Sequence, residues 1–432
     1  MALSRYLKVY PCPDEPGEVL LFSTRTAAIL MVSKKTLEAA VAGRLSPAQE
    51  AQLTRLGVLV ADHDAERDDV RLLLQKINAR NTTLNLTAVL NLDCNFACPY
   101  CFEGDMKGRH YMSETTAGQL IDFALKKLTA EKKGLVIDFY GGEPLLSTDL
   151  IKLIAGRLKP QVEGRGATFG FSLVTNGSLL SRKTTAELVA LGLKGVKVTL
   201  DGPAEHHNVS RPFKSGAGSF DAIIRNLRET CDLIKIGIGG NYTEQNYNAF
   251  VDLLDVLLDQ GLTPEKVGVV KFDPVFKTAD GCRPSSGFQG GCVSIDEPWL
   301  ATAEPLLRKE ILQRGFNTPK PGPVVCMVET EASCVVHYDG TLYKCPAFIG
   351  QKAFAVGNLE SGVADYRVSQ NLGLWKNETC DDCEYLPLCF GGCRFMSFVR
   401  NGSIAVLDCR KAHLDANLET LLRLDIAHRA LR

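Results

Sequence analysis

Residues 94–103 read Cys-Asn-Phe-Ala-Cys-Pro-Tyr-Cys-Phe-Glu, and they follow a β-rich run, Thr-Thr-Leu-Asn-Leu-Thr-Ala-Val-Leu-Asn-Leu, at residues 82–92. Thiols at the carboxyl end of a strand lie where an α/β barrel carries its chemistry. The spacing of Cys94, Cys98 and Cys101 wraps one loop around a single metal centre. Three protein sulfurs on a four-iron cluster leave one iron without a protein ligand. The stretch therefore predicts a catalytic iron site.

A zinc knuckle, or three core cysteines that happen to lie close together, is the simpler alternative. A structural zinc site normally has four protein ligands, and no further Cys or His follows nearby. The pattern, with the aromatic Tyr100 before the third cysteine, resembles the motif of the radical SAM superfamily. The resemblance implies that the three cysteines hold a 4Fe–4S cluster whose open iron chelates S-adenosylmethionine (SAM), with Tyr100 near the adenine. One electron then releases a 5′-deoxyadenosyl radical, which abstracts hydrogen from a substrate.

Composition limits the other classes of function. The 432 residues carry a formal charge of −1, which favours neither nucleic acid nor an anionic membrane as a partner. No apolar run approaches the length of a membrane span, and the first residues lack the apolar core of a signal peptide. Fifteen cysteines in such a chain indicate metal binding rather than a disulfide framework. We therefore expect a cytoplasmic protein.

From residue 82 to about 275, predicted strands and helices alternate, which is typical of a parallel sheet. Six such units with right-handed crossovers predict an α/β fold, a partial (β/α)6 TIM-like barrel. The predicted strands are residues 85–92, 135–140, 169–174, 196–200, 234–240 and 267–275.

Polar residues follow several of these strands, at the end where a barrel carries its site. Each of these polar segments alone is typical of an ordinary turn or cap. Together they follow successive strands at the same end as the cysteine loop. In radical SAM proteins the Gly-Gly-Glu-Pro segment lines the amine of SAM, and the resemblance implies cofactor contacts from the later strand ends as well. The cofactor-binding residues implied in this way are Gly141, Gly142, Glu143, Asn176, Asp201 and Arg211.

Two pairs of residues stay outside this scheme. His206 and His207 follow the fourth strand, and the sequence predicts that they lie in a polar loop as surface or substrate-lining residues. Cys282 and Cys292 flank a Gly/Ser-rich stretch that is typical of a long loop. No partner for these two cysteines can be read from the sequence.

Eight of the fifteen cysteines lie between Cys326 and Cys409. Two four-thiolate sites would use all eight, as zinc ribbons or as iron–sulfur clusters. The pattern resembles the SPASM domain, which carries two auxiliary 4Fe–4S clusters, so three clusters are expected in total. The resemblance assigns Cys326, Cys334, Cys345 and Cys393 to one auxiliary cluster, and Cys380, Cys383, Cys389 and Cys409 to the other.

The domain limits expected from these motifs are residues 1–80, 82–320, 321–412 and 413–432. The first is a small α+β domain whose helix–helix–strand order resembles a leader-peptide-binding element, although a packing extension explains it equally well. The second is the barrel and the third the cysteine-rich domain. The last is an amphipathic helix expected to pack on the barrel.

SPASM proteins mostly modify ribosomally made peptides, so the resemblance implies a peptide maturase that forms a cross-link such as a thioether. The expected partners are a precursor peptide and an electron donor such as flavodoxin or ferredoxin. A sulfatase-maturase-like enzyme that forms formylglycine is an alternative. Such enzymes have an acidic base immediately after the cysteine that corresponds to Cys345, whereas this chain has Pro346. An iron–sulfur electron carrier without catalysis, or a zinc-bound peptide-binding module, would be a different class of protein.

Overall fold

The computed structural model describes residues 1–275 and 297–430, so Cys282 and Cys292 lie outside the described residues. The chain packs as two units. One contains residues 1–80, 320–330 and 371–432, and the other contains residues 81–319 and 331–370. Within the described residues, no helix is both long and apolar enough to cross a membrane.

The N-terminal part of the first unit is a small α+β arrangement. Strands β2 to β4 form an antiparallel sheet, and β1 pairs with β5. Helix α2 begins after Ser46, which forms a capping box with Gln49 in which each side chain accepts the backbone N–H of the other residue. The elements are β1 (Ala2–Leu3), β2 (Leu7–Pro11), β3 (Glu18–Ser23), β4 (Ile29–Ser33), α1 (Lys34–Val41), α2 (Pro47–Arg55), β5 (Leu59–Val60), α3 (His63–Arg71) and α4 (Leu73–Arg80).

The second unit confirms the predicted partial barrel. Six parallel strands pair in chain order from β6 to β11, and helices connect them. The elements are β6 (Thr83–Val89), α5 (Glu114–Lys127), β7 (Gly134–Tyr140), α6 (Thr148–Glu163), β8 (Thr168–Thr175), α7 (Arg182–Ala190), β9 (Leu193–Thr199), α8 (Ala204–Ser210), α9 (Phe220–Thr230), β10 (Lys235–Tyr242), α10 (Ala249–Asp259), β11 (Val267–Pro274) and α11 (Leu300–Gln313).

The sheet continues beyond the six predicted strands. β12 (Ser333–Val336) runs parallel to β6, and β13 (Thr341–Tyr343), β14 (Gly357–Asn358) and β15 (Gly362–Val363) follow as antiparallel strands. The Ser-Cys-Val-Val sequence of β12 is entirely buried, which suits a strand inside a sheet. Residues assigned from sequence to the cysteine-rich domain thus extend the barrel sheet in the structure.

Successive side chains along the barrel strands face the helices and the barrel interior in turn. Leu86, Ala88 and Ile137 belong to the large apolar core that includes residues of the helices. Since side chains alternate along a strand, the residues between them face the barrel interior. Several of these interior residues are polar, among them the partly exposed Thr87, Asp138 and Ser172 and the exposed Lys197.

The C-terminal part of the first unit consists of short helices, α12 (Glu378–Asp381), α13 (Leu386–Cys389) and α14 (Arg394–Asn401), and the long α15 (Lys411–Ala430). Leu418 and Leu422 of α15 pack with Leu20 and Phe22 of β3. The prediction that the last helix packs on the barrel is therefore wrong. Its apolar stripe fits the N-terminal sheet equally well, and sequence periodicity does not identify the partner surface.

Candidate active site

The loop that carries Cys94, Cys98 and Cys101, here called the cysteine triad, leaves the carboxyl end of β6. A backbone bridge joins Phe96 to Phe213, whose rings meet edge to face at 5.0 Å. Asp93 fixes the start of the loop, because its Oδ1 accepts the N–H of Cys94 at 2.9 Å and also forms an ion pair with Lys214. The fold therefore supports the loop at several points.

The surroundings of the triad suit sulfur ligands that carry negative charge. The Sγ atom of Cys94 accepts the N–H of Phe96 at 3.4 Å and the Nδ2 of Asn176 at 3.8 Å. Burial raises the pKa of the Cys94 thiol to about 11 and also raises that of Cys101. Burial opposes the charge of Lys107, but the three cysteines together raise the pKa of its ammonium group. Donors and a cation directed at three sulfurs fit an anionic iron–sulfur cluster.

The glycines of the Gly-Gly-Glu-Pro segment are required for packing. A Cβ atom on Gly141 would lie 2.5 Å from the carbonyl oxygen of Asn91, and one on Gly142 would lie 2.2 Å from that of Asp93. The N–H of Gly142 donates to Asn91 at 3.0 Å, and that of Glu143 donates to Asp93 at 2.8 Å. These residues thus fasten the end of β7 to the start of the cysteine loop. Their contact with SAM stays a prediction.

Glu143 lies fully buried at the centre of the strand-end loops. Its Oε1 accepts from the hydroxyl of Thr175 at 2.7 Å and from the N–H of Leu145 at 3.0 Å, while its Oε2 accepts the N–H of Asn176 at 2.8 Å. Burial raises the pKa of this carboxyl although the hydrogen bonds lower it. Asn176 in turn donates to Asn95 at 2.8 Å. The structure therefore brings Glu143, Asn176 and the cysteine loop together, as the sequence predicts.

Tyr100, Asp201 and Arg211 form a buried network with Asn241. The Tyr100 hydroxyl donates to Asp201 and accepts from Arg211 at 2.7 Å and from Asn241 at 3.3 Å. Burial raises the pKa of Tyr100 well above its usual value, and it raises that of Asp201 despite the opposing effect of Arg211. The sequence predicts these three residues as separate SAM contacts. In the structure, their polar groups bind one another and connect the cysteine loop to the ends of β9 and β10.

His207 does not lie in a polar loop, and that prediction is wrong. It belongs to α8 and is completely buried, with Nδ1 accepting the N–H of Asp201 at 3.1 Å and Nε2 lying 3.1 Å from the Ser219 hydroxyl. Burial lowers the pKa of its imidazole to about 3. A neutral His207 thus helps to hold Asp201 in place by accepting its backbone N–H. His206 is partly exposed on the same helix.

Sequence reasoning overlooked two charged residues beside the triad, Lys107 and Glu103. Glu103 is 2% exposed, its Oε1 has no hydrogen-bond partner in the described part of the chain, and burial raises the pKa of its carboxyl to about 7. Both residues follow the third cysteine within one short turn. Their closeness to the motif was the available indication, but their burial depends on tertiary packing.

All four cysteines of one predicted set belong to the first unit, although among the described residues no three Cys, His, Asp or Glu side chains are placed closely enough to hold a metal ion. Cys383 and Cys409 act electrostatically on Cys380, and Cys380 and Cys383 act on Cys389. Burial raises the pKa of the Cys389 thiol to about 11. Left-handed backbone at Phe390, Gly391 and Gly392 reverses the chain directly after it. We call Cys380, Cys383, Cys389 and Cys409 the C-terminal set.

The other predicted set divides between the two units. Cys326 and Cys393 belong to the first unit, where each lies within electrostatic range of the other, while Cys334 and Cys345 belong to the second. Cys334 is buried on β12, and burial raises its thiol pKa to about 11. The assignment of these four residues to one auxiliary cluster stays a prediction.

Comparison with known proteins identifies the barrel. Residues 90–257, which include the triad and most strand-end loops, match the Radical SAM superfamily. This part of the chain is a radical SAM domain. Such a domain implies a 4Fe–4S cluster and SAM, and the sulfur environment of the triad fits that cluster.

The matches to two relatives differ in how much of each chain they cover. The Fe-coproporphyrin III synthase of Methanosarcina barkeri is 31% identical over 170 residues, but the match spans only 39% of each chain. The cysteine-type anaerobic sulfatase-maturating enzyme of Clostridium perfringens is 22% identical over 359 residues, which span 76% of this chain and 89% of that enzyme. The first likeness is thus confined to part of each protein, and the second extends over most of both.

Two solved structures resemble the chain over most of its length. The structure of anSMEcpe with bound AdoMet and Kp18Cys peptide has a TM-score of 0.64 and 17% identity, and covers 81% of this chain and 99% of that chain. Streptococcus suis SuiB bound to the precursor peptide SuiA has a TM-score of 0.55 and 15% identity, and covers 94% and 98%. At these identities the likeness establishes the fold alone.

Proposed function

We propose that this protein is a radical SAM peptide maturase, which modifies a ribosomally made precursor peptide by forming a cross-link such as a thioether. The observation that carries the proposal is the cysteine triad, which the strand-end loops of a radical SAM domain support, in a chain whose first unit also contains the C-terminal set. Two kinds of thiolate site in one chain suit a reaction in which one site starts a radical and the other later accepts an electron from the substrate radical. The likeness to structures that contain bound peptides adds support.

In this proposal Cys94, Cys98 and Cys101 hold the catalytic cluster. When bound, the cluster supplies the electron that cleaves SAM to a 5′-deoxyadenosyl radical. The chain itself positions the reacting groups and excludes water from the site. Glu143 presents a buried carboxylate suited to an ammonium group, and the network around Tyr100 fixes the loop between the second and third cysteines.

The C-terminal cysteines are proposed to hold two auxiliary 4Fe–4S clusters, with the ligand sets that the sequence predicts. In the C-terminal set, Asn377 donates to Cys380, and the N–H groups of Tyr385 and Gly391 donate to Cys383 and Cys389. N–H donors to sulfur are typical of iron–sulfur ligation. Four protein sulfurs per cluster leave no open iron, so the proposed role is electron transfer. Residues 1–80 are proposed to bind the leader of the precursor.

Formation of formylglycine on a protein substrate is the second candidate. The likeness to a sulfatase-maturating enzyme over most of both chains favours it as strongly as the peptide structures favour a cross-link. Against it, the residue after Cys345 is Pro346, which begins a short 3-10 turn at residues 346–348 and carries no carboxylate.

One experiment separates these candidates. The full chain is reconstituted with iron and sulfide without oxygen, reduced with dithionite, and supplied with SAM and either a Cys-rich precursor peptide or a Cys-containing sulfatase peptide. A cross-link appears in the mass spectrum as the loss of two hydrogens alone, whereas formylglycine formation from Cys appears as the loss of two hydrogens together with the replacement of sulfur by oxygen. Clusters without 5′-deoxyadenosine formation would contradict both candidates and leave an electron carrier.

A further inference from the structure

The carboxyl end of β12 carries a histidine that the sequence patterns did not single out. Cys334 and Val336 of β12 face the helices as members of the large apolar core, so alternation turns His337 to the interior side. Val336 pairs with Ala88 in β6, which places His337 level with Val89. Val89 in turn pairs with Tyr140 in β7. His337 is therefore in the last interior row of the sheet, at the end from which the site loops leave.

This row borders the cysteine triad. The pKa of Tyr140 is raised by burial and further by Glu103 and Cys101, so the ring lies within electrostatic range of the third cysteine. Neighbouring strands lie about 4.8 Å apart, which places His337 roughly 10 Å from Tyr140 across β6. Both positions lie at the carboxyl end of the sheet, from which the loop of the triad also leaves.

A carboxylate orients the His337 ring. Nδ1 lies 3.0 Å from Oδ1 of Asp339, which also accepts the N–H of Thr341 at 2.9 Å. The hydrogen bond from His337 lowers the pKa of the Asp339 carboxyl. A carboxylate beside Nδ1 favours the tautomer in which Nδ1–H is the donor, and in the neutral ring of that tautomer Nε2 carries the free electron pair.

Among the described residues, that Nε2 atom has no hydrogen-bond partner, although the side chain is only 4% exposed. A buried acceptor without a partner costs free energy, and in a native protein it calls for an explanation. The other titratable groups around the ring are Tyr338, with its ring centre at 4.4 Å, and Tyr343 of β13, edge-on at 6.0 Å. Val89 on the neighbouring strand is apolar and fully buried.

We propose that His337, oriented by Asp339, is the proton acceptor in the peptide-modifying reaction, and this inference rests on the proposed function. In the step, a substrate C–H bond and an S–H, N–H or O–H bond break, and a carbon–heteroatom bond forms. The hydrogen atom goes to the 5′-deoxyadenosyl radical and the proton goes to Nε2. The remaining electron goes to a one-electron acceptor of the iron–sulfur class. His337 thus supplies a base in a chain that has Pro346 after Cys345.

The test compares wild type, His337→Gln and the control His413→Gln, which replaces a partly exposed histidine of α15, each as the full reconstituted chain with a precursor peptide. We expect His337→Gln to lower product formation by about 100-fold or more, the usual contribution of a general base. Formation of 5′-deoxyadenosine, and its deuterium content from labelled peptide, should stay within a few-fold. His413→Gln should match wild type.

Two further variants separate a base from a structural residue. Free imidazole should restore product formation in His337→Gly, and Asp339→Asn should lower the product rate while it leaves SAM cleavage intact. Wild-type product rates in His337→Gln would overturn the inference alone. If the wild-type protein cleaves SAM but modifies no peptide, the proposed function and the inference both fail. If His337→Gln loses its clusters and imidazole restores nothing in His337→Gly, the residue is structural and the inference is overturned.

Discussion

The cysteine triad and the C-terminal set are held in different ways. The triad lies on one loop of eight residues above a parallel sheet, and neighbouring strand ends support that loop through Glu143, Asn176 and Tyr100. The C-terminal set is distributed over residues 380–409, on four-residue helices and left-handed turns. In the first case the fold positions the sulfurs. In the second, few regular elements are present to do so.

This difference suggests that the two sets respond differently to ligand loss. Binding of a metal group couples to folding most strongly where the chain has little other structure. We therefore expect the triad to be needed for chemistry but hardly for stability, and the C-terminal set to be needed for both. The predictions below test this contrast, beginning with the largest effect.

Replacement of a triad cysteine should abolish SAM cleavage. Cys98→Ala removes one of three ligands, so we expect about four fewer irons per chain and 5′-deoxyadenosine at background level. The melting temperature should stay close to that of wild-type protein loaded with its auxiliary clusters alone. Iron analysis, product chromatography and thermal melts measure these three quantities. A collapse of the fold in Cys98→Ala would remove the contrast between the two sets.

Replacement in the C-terminal set should have the opposite pattern. Cys389→Ala should also lose about four irons per chain, but SAM cleavage should persist while peptide product falls. Limited proteolysis should cut the region around residues 380–409 faster than in Cys98→Ala, because the short helices lose the group that orders them. Cys231→Ala, which removes a partly exposed cysteine outside both sets, is the matched control. Equal protease resistance in both ligand variants would contradict the argument.

The same contrast explains how much the sequence could predict. In the barrel, hydrophobic alternation set the strands, and the strand-end rule located Glu143, Asn176 and Asp201. What escaped prediction depended on tertiary contacts, such as the burial of His207 and the pairing of Asp201 with Tyr100. In the C-terminal region, spacing alone left the ligand sets open, and β12 was not recognised because a four-residue strand has too few residues for a periodic pattern.

A substitution in the network around Tyr100 should have an effect smaller than loss of a cysteine ligand. Asp201→Asn keeps the shape but removes the charge that faces Arg211 at 4.0 Å. Since the network orients the cysteine loop from outside the sulfur ligands, we expect a loss of about 10- to 100-fold in SAM cleavage or cluster retention. The cluster's electron paramagnetic resonance spectrum should change, which a defect in peptide binding would not cause. An unchanged spectrum with normal SAM cleavage would show that the network has no such role.

The smallest effect concerns two glycines of the radical SAM domain that differ in their surroundings. A Cβ on Gly142 would lie 2.2 Å from the backbone oxygen of Asp93, whereas one on Gly118, within α5, meets nothing within 4 Å. Gly142→Ala should therefore destabilise the protein by about 1–3 kcal/mol, the usual cost of overpacking. Gly118→Ala should stabilise it by about 0.5–1 kcal/mol, because alanine loses less entropy in a helix. Chemical denaturation measures both values. If Gly142→Ala is as stable as wild type but cleaves SAM poorly, the glycine serves the cofactor, as the sequence predicts, and the packing role derived from the structure is secondary.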